Sequence, residues 1–192
     1  GDIRNCILAL ADTEPLMEDL LQYRFKDGRL KNQSFGNLFL AAMAGISDNF
    51  EEAVQKMSSV LAVTGKVIPV TLDNMQLIAK LQNGNIVEGE SQIPEEAINQ
   101  NSRIDELRIK PENAKPLKEA LDALKEADAI VMGPGSLYTS ITSNLLVKDI
   151  SKAVRKSNAI KIYISNIMTQ PGETTGFKVS DHLKVLRKYG GK

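Results

Sequence analysis

The residues whose types and spacing best suit chemistry lie in Asp128–Ile141, which reads Asp-Ala-Ile-Val-Met-Gly-Pro-Gly-Ser-Leu-Tyr-Thr-Ser-Ile. Gly133 and Gly135 carry no Cβ, so the backbone can approach a ligand closely, and Pro134 between them stiffens the loop. Ser136, Tyr138, Thr139 and Ser140 add hydroxyls where a helix is expected to begin. A helix start has unpaired N–H groups and a partial positive charge. The chemistry on offer is therefore phosphate binding by Gly133, Gly135, Ser136, Leu137, Tyr138, Thr139 and Ser140. The pattern lacks the third glycine of the dinucleotide fingerprint and the Lys-Ser/Thr pair of a P-loop. A plain strand-to-helix connection with a serine cap accounts for the same residues, so the choice rests on what surrounds them.

Positioning such a loop requires a strand before it and a second strand beside it. Ala129–Met132 is a short, partly β-branched apolar run suited to a buried parallel strand, and the run 160–165 reads as another. The helical pattern of 145–156 between them makes a strand-helix-strand crossover, which sends both carboxyl ends the same way. After the second strand come Asn166, Thr169 and Gln170, then Pro171-Gly172-Glu173. Ligands of open α/β sheets bind at such ends, so the two loops are expected to flank one crevice, with Asp2, Asn5 and Asn37 from helix starts lining it too.

The remaining chain reads as scaffold. Asp2 is placed to cap a helix carrying Ile3, Ile7, Leu8 and Leu10, with Cys6 as a small core residue on its apolar face. Thr13, Glu14 and Pro15 signal a second helix through Leu16, Leu20 and Phe25, and Ser34 a third over 35–44, with Gly36 in its first turn either easing packing or admitting a ligand. Asp48 and Glu51 form a capping box before Phe50, Val54, Met57 and Leu61. The period then changes to two: strands are expected at 66–72 and 75–82, with Asn83-Gly84 turning a hairpin into 85–90. The segment 94–100 reads as short and polar, 103–109 as a strand, and Leu117, Leu121 and Leu124 as a helix. A last helix over 181–189 holds His182 as a surface or packing residue.

Composition narrows the function classes. Lys plus Arg and Asp plus Glu each number 24, which gives no electrostatic footprint for nucleic acid or an anionic membrane. The apolar stretch Leu38–Ile46 is far short of the roughly 20 residues that span a bilayer. One cysteine and one histidine argue against a disulfide framework, a zinc centre or a Ser-His-Asp triad, and favour the cytoplasm. At 192 residues, one α/β domain over 1–192 is the expectation.

Five stretches together carry a resemblance: Gly1–Asn5, Ala11–Leu16, Ser34–Met43, Gly133–Ile141 and Met168–Thr174. In this order they resemble the gluconeogenesis factor family, which is similar in fold to the 2-phospho-L-lactate transferases. The resemblance implies a three-layer Rossmann-like α/β fold with a mostly parallel sheet and a β-hairpin insertion. It also implies a nucleotide or UDP-N-acetylglucosamine-type ligand, and a cellular role in gluconeogenic growth and cell shape. Against that family the chain reads as an internal fragment truncated at both ends, without the opening Gly-Gly-Gly-Thr-Gly and Asp-Asp-Gly-Gly-Ser-Ser-Gly segments. Gln33 stands where the family has His.

Three functions compete: a nucleotide-sugar-binding regulatory factor, a transferase of a phosphate-linked group with magnesium held by carboxylates such as Asp2, and a structural interaction protein. The sparse charge near the loop (Asp2, Arg4 and Glu173) favours the first, because phosphoryl transfer needs positioned charge. The expected partner is a small nucleotide ligand, with a homodimer the natural assembly to test for.

Overall fold

Arg4 and Ile7, three residues apart, share the inward face of α1 (Asp2–Leu10), which leaves Cys6 exposed rather than in the core. The computed structural model describes residues 2–13 and 15–191; the side chain of Asp2, and with it the expected helix cap, lies outside that description. Two compact units make up the chain, Gly1–Pro69 and Val70–Lys192.

The first unit is helical. α1 is followed by α2 (Pro15–Gln22), a short 3-10 turn at Gly28–Leu30, α3 (Phe35–Gly45) and α4 (Phe50–Val60). Ile7, Leu21, Val54, Met57 and Leu61 form its core. Pro15 opens α2, where a missing N–H costs nothing, but Leu21 takes the inward position, Leu16 stays 79% exposed, and the helix stops at Gln22 short of Phe25, whose backbone pairs with Asn32 and Gln33 instead. Fully buried Ser34 caps α3 as its sequence suggests, its Oγ accepting from the Asn37 N–H at 3.2 Å. The box before α4 sits one residue later than expected. Asn49 accepts from the Glu52 N–H, and Glu52 accepts from the Asp48 N–H.

The second unit is mixed α/β. β1 (Gln76–Leu81) lies between β2 (Ile86–Glu88) and β3 (Ile104–Lys110), both antiparallel to it, with Gly84 at φ +92 in the hairpin turn. Leu77, Ala79 and Leu81 alternate inward and meet α5 (Gln92–Asn99) through Ile93 and Ala97. α6 (Lys118–Glu126) leads into β4 (Ala129–Met132), which pairs in parallel with β5 (Ile160–Tyr163). Between these strands lie a wide turn at Leu137–Thr142, α7 (Ser143–Leu146) and α8 (Ile150–Lys156), and α9 (Val179–Gly190) closes the unit.

Several expectations are corrected. Among the described residues the sheet is not mostly parallel: a three-stranded antiparallel sheet stands beside one parallel pair. The segment 66–72 forms no strand and contributes a single bridge at Thr71, for Pro69 cannot donate to a ladder. The polar segment 94–100 is mostly the body of α5, because Ile93 and Ala97 at i, i+4 supply a buried stripe. The helix expected over 145–156 is broken at Asp149, whose φ of +64 is left-handed. β5 pairs as expected but is not buried: Ile160 and Ile162 face outward.

Candidate functional site

The glycine loop is held between the ends of the parallel pair. The Ile164 N–H donates to the Met132 carbonyl at 2.9 Å, extending the β4–β5 ladder to the loop's first residue. Gly133 then adopts φ +92, and a Cβ there would stand 2.6 Å from the Ile164 carbonyl oxygen. Its glycine is required by the chain itself. Gly135 differs: a Cβ there would meet Ser140 Cβ at 3.5 Å, an ordinary contact. No packing demand explains that glycine, which leaves its lack of a side chain free for a ligand.

Asn166, at the end of the second strand, clamps Gly135 at two points. Its Oδ1 accepts from the Gly135 N–H at 3.3 Å, and its Nδ2 donates to the Gly135 carbonyl at 2.9 Å. The sequence expectation that the two loops meet is thereby realised for Gly135 and Asn166. Beyond Gly135 the chain opens a π-type turn, in which the Ser140 and Ile141 N–H groups both donate to the Ser136 carbonyl at 3.0 Å.

The start of that turn attracts an anion, and the chain supplies one. Glu173, 2% exposed, accepts through Oε2 from the Tyr138 N–H at 2.9 Å and the Thr139 N–H at 3.4 Å. Its Oε1 accepts from the Thr139 hydroxyl at 2.6 Å. A buried carboxylate needs such donors, and a turn with orphan N–H groups needs such an acceptor. The carboxylate is aimed by a tight turn in which the Thr174 N–H donates to the Gln170 carbonyl and the Gln170 N–H to the Thr174 hydroxyl, each at 2.8 Å. Gly172 at φ +79 sits there so close to Pro94 that a Cβ would lie 2.2 Å from its carbonyl oxygen. Sequence reasoning counted Glu173 only as a nearby charge; the signal that could have found its role is a lone acid in a Pro-Gly turn facing a hydroxyl-rich helix start.

What remains open at the loop is its first half. Among the described residues, the N–H groups of Ser136 and Leu137 have no acceptor; Ser136 and Ser140 are partly exposed, whereas Leu137 is fully buried. Thr169 is exposed and Gln170 half-buried beside Glu173. Tyr138 and Thr139 are buried, and burial pushes the Tyr138 phenol well above its ordinary range, so its hydroxyl stays protonated. Pro171, Gly172 and Glu173 also border a cavity of about 360 Å³ that Arg103 lines from across the loop.

Asn5 and Asn37 belong to the first unit. Asn37 is half-buried at the start of α3, and Asn5 accepts a hydrogen bond from Arg4 at 2.6 Å. Asp2 falls among the side chains outside the description. Among the described residues no three acidic, histidine or cysteine side chains converge as metal ligands would, and no helix is long and apolar enough to cross a membrane.

The family model described as 2-phospho-L-lactate transferase CofD matches residues 1–192. The chain belongs to the CofD family. Within that family it is 50% identical over 192 residues to the Bacillus subtilis protein named "Gluconeogenesis factor", covering 100% of this chain and 59% of that one. A Clostridium acetobutylicum relative is 72% identical over 193 residues, 100% of this chain and 43% of its own length. A crystal structure from Bacillus halodurans matches with a TM-score of 0.92 at 45% identity, over 100% of this chain and 60% of that one. This CofD-family chain thus spans roughly half the length of the relatives it matches, and the resemblance read from the five motifs is confirmed.

Proposed function

We propose that this chain forms part of a nucleotide-binding gluconeogenesis factor, whose ligand, a UDP-sugar of the UDP-N-acetylglucosamine type, rests its diphosphate on the Gly133–Ser140 loop. The observation that carries this reading is Gly135. Nothing in the packing excludes a side chain there, yet the residue is pinned on both its N–H and its carbonyl by Asn166. Immediately after it come the Ser136 amide, without an acceptor among the described residues, and the hydroxyls of Ser136 and Ser140. The diphosphate meets the Ser136 amide rather than those of Tyr138 and Thr139, which Glu173 occupies. A sugar or base with neutral hydroxyl and amide groups suits the exposed Thr169 and half-buried Gln170 alongside. The parallel pair with its helical crossover is the Rossmann-like portion of the fold, and the chain acts in the cytoplasm, in support of gluconeogenic growth and cell shape. Titration calorimetry with UDP-N-acetylglucosamine, NAD and GDP tests this. Saturable binding of the UDP-sugar, weakened at least tenfold (about 1.4 kcal/mol) by Gly135→Ala, is expected; equal binding by the variant would sink the reading.

The family's own description favours a second reading, transfer of a phosphate-linked group with magnesium. The described residues assemble no carboxylate cluster for that ion, and the Asp2 side chain lies outside them. Incubation with a nucleoside diphosphate-linked donor and an alcohol acceptor, followed by phosphorus NMR, distinguishes it: a new phosphodiester signal supports transfer, and an unchanged spectrum supports binding alone.

A further inference from the structure

The first unit holds an open cavity of about 470 Å³ whose polar lining is Arg4, Asn5, Glu18, Gln22 and Arg24. Arg4 is 8% exposed, yet neither it nor Arg24 has an ion-pair partner among the described residues. The Arg4 guanidinium donates from Nη2 to Asn5 Oδ1 at 2.6 Å and, weakly, from Nη1 to the Leu21 carbonyl at 3.4 Å. Its Nε, buried, has no acceptor among the described residues. A buried cation with an idle donor costs free energy unless an anion completes it.

The fold makes deliberate room for this side chain. A Cβ on Gly36 would stand 2.7 Å from the Leu21 carbonyl oxygen and 2.8 Å from Arg4 Cδ, so the glycine in the first turn of α3 is what lets the arginine stem lie there. Glu18 lines the same cavity but is engaged by Gln22, which donates to its Oε1 at 2.9 Å, and it reaches neither arginine. Arg24 donates from Nη1 to the Asn32 carbonyl at 2.8 Å, which fixes its head at the rim. Burial first, and Arg24 as a like charge second, lower the affinity of Arg4 for its proton.

We propose that this cavity of the first unit is an anion site, in which Arg4 and Arg24 receive the oxygens of a phosphate group. A guanidinium presents planar, paired donors that match a tetrahedral oxyanion, and the open Nε edge of Arg4 is the face left for it. Gly36 is then required for packing and serves the site indirectly, by holding Arg4 in place.

Sodium phosphate titrated into ¹⁵N-labelled protein, followed through the arginine Nε–Hε resonances and compared with sodium chloride at equal ionic strength, tests the proposal. Arg4 is expected to shift saturably with phosphate and not with chloride. Arg24→Gln, at an exposed position, should keep the fold and weaken phosphate binding at this site at least tenfold, and Arg4→Lys should weaken it as much while the amide spectrum stays native. A shift that follows ionic strength alone, or one that survives Arg24→Gln, would overturn the assignment.

Discussion

Gly133 and Gly135 are two residues apart and alike in sequence, but they answer to different forces. Gly133 combines a left-handed φ of +92 with a carbonyl oxygen 2.6 Å from where a Cβ would be. Gly133→Ala should therefore lose about 1–3 kcal/mol or more of stability in urea denaturation, whereas Gly135→Ala should change it little. His182 allows a second prediction at this scale. It is 4% exposed, with Nδ1 2.8 Å from the Tyr163 hydroxyl and the Phe177 ring edge-on to it. Burial lowers its pKa below the ordinary value near 6.5, only partly opposed by Asp181. The unfolded chain then takes up the proton first, so the neutral ring's contribution is complete above about pH 6.5 and is lost as pH falls through and below that value. Urea midpoints at pH 7.5 and pH 5.5 should show the loss, and His182→Phe should reduce it. The sequence left His182 as surface or packing, and the deciding fact, Tyr163 nineteen positions away, comes only from tertiary contact.

At the scale of elements, local signals were the readable ones. Pro15 at the first position of α2, Ser34 ahead of α3 and Asn83-Gly84 between β1 and β2 each act over a few residues, and each appears where its chemistry places it. The failures share a cause. α5 was hidden by Pro94 and its polar neighbours, and becomes a helix because Ile93 and Ala97 find β1 and β2 to cover. Likewise, β5 looks buried by composition, yet burial is decided by what lies over it. Glu173 links two elements that sequence could only place side by side. Glu173→Ala would strand the Tyr138 and Thr139 amides without their acceptor, at about 1–3 kcal/mol for each buried group left unpaired. A loss of roughly 2 kcal/mol or more in chemical denaturation is expected, with Glu173→Gln retaining part of it.

For the whole molecule, family membership was legible because five motifs recur in order, while the balance of the sheet was not, since pairing partners are set by tertiary contact. β4 and β5 turn Val131, Ile160 and Ile162 to one side, and these are 52%, 68% and 43% exposed. Such an apolar strip invites association. Light scattering should show concentration-dependent self-association of the 192-residue chain, suppressed by Ile160→Lys. The central claim, that the Gly133–Ser140 loop carries a UDP-sugar's diphosphate, is tested most directly by calorimetric titration of UDP-N-acetylglucosamine into the native chain and into Gly135→Ala. Saturable binding by the native chain and at least tenfold weaker binding by an equally stable variant are expected. Equal affinity for both, or no preference for the UDP-sugar over NAD and GDP, would contradict it.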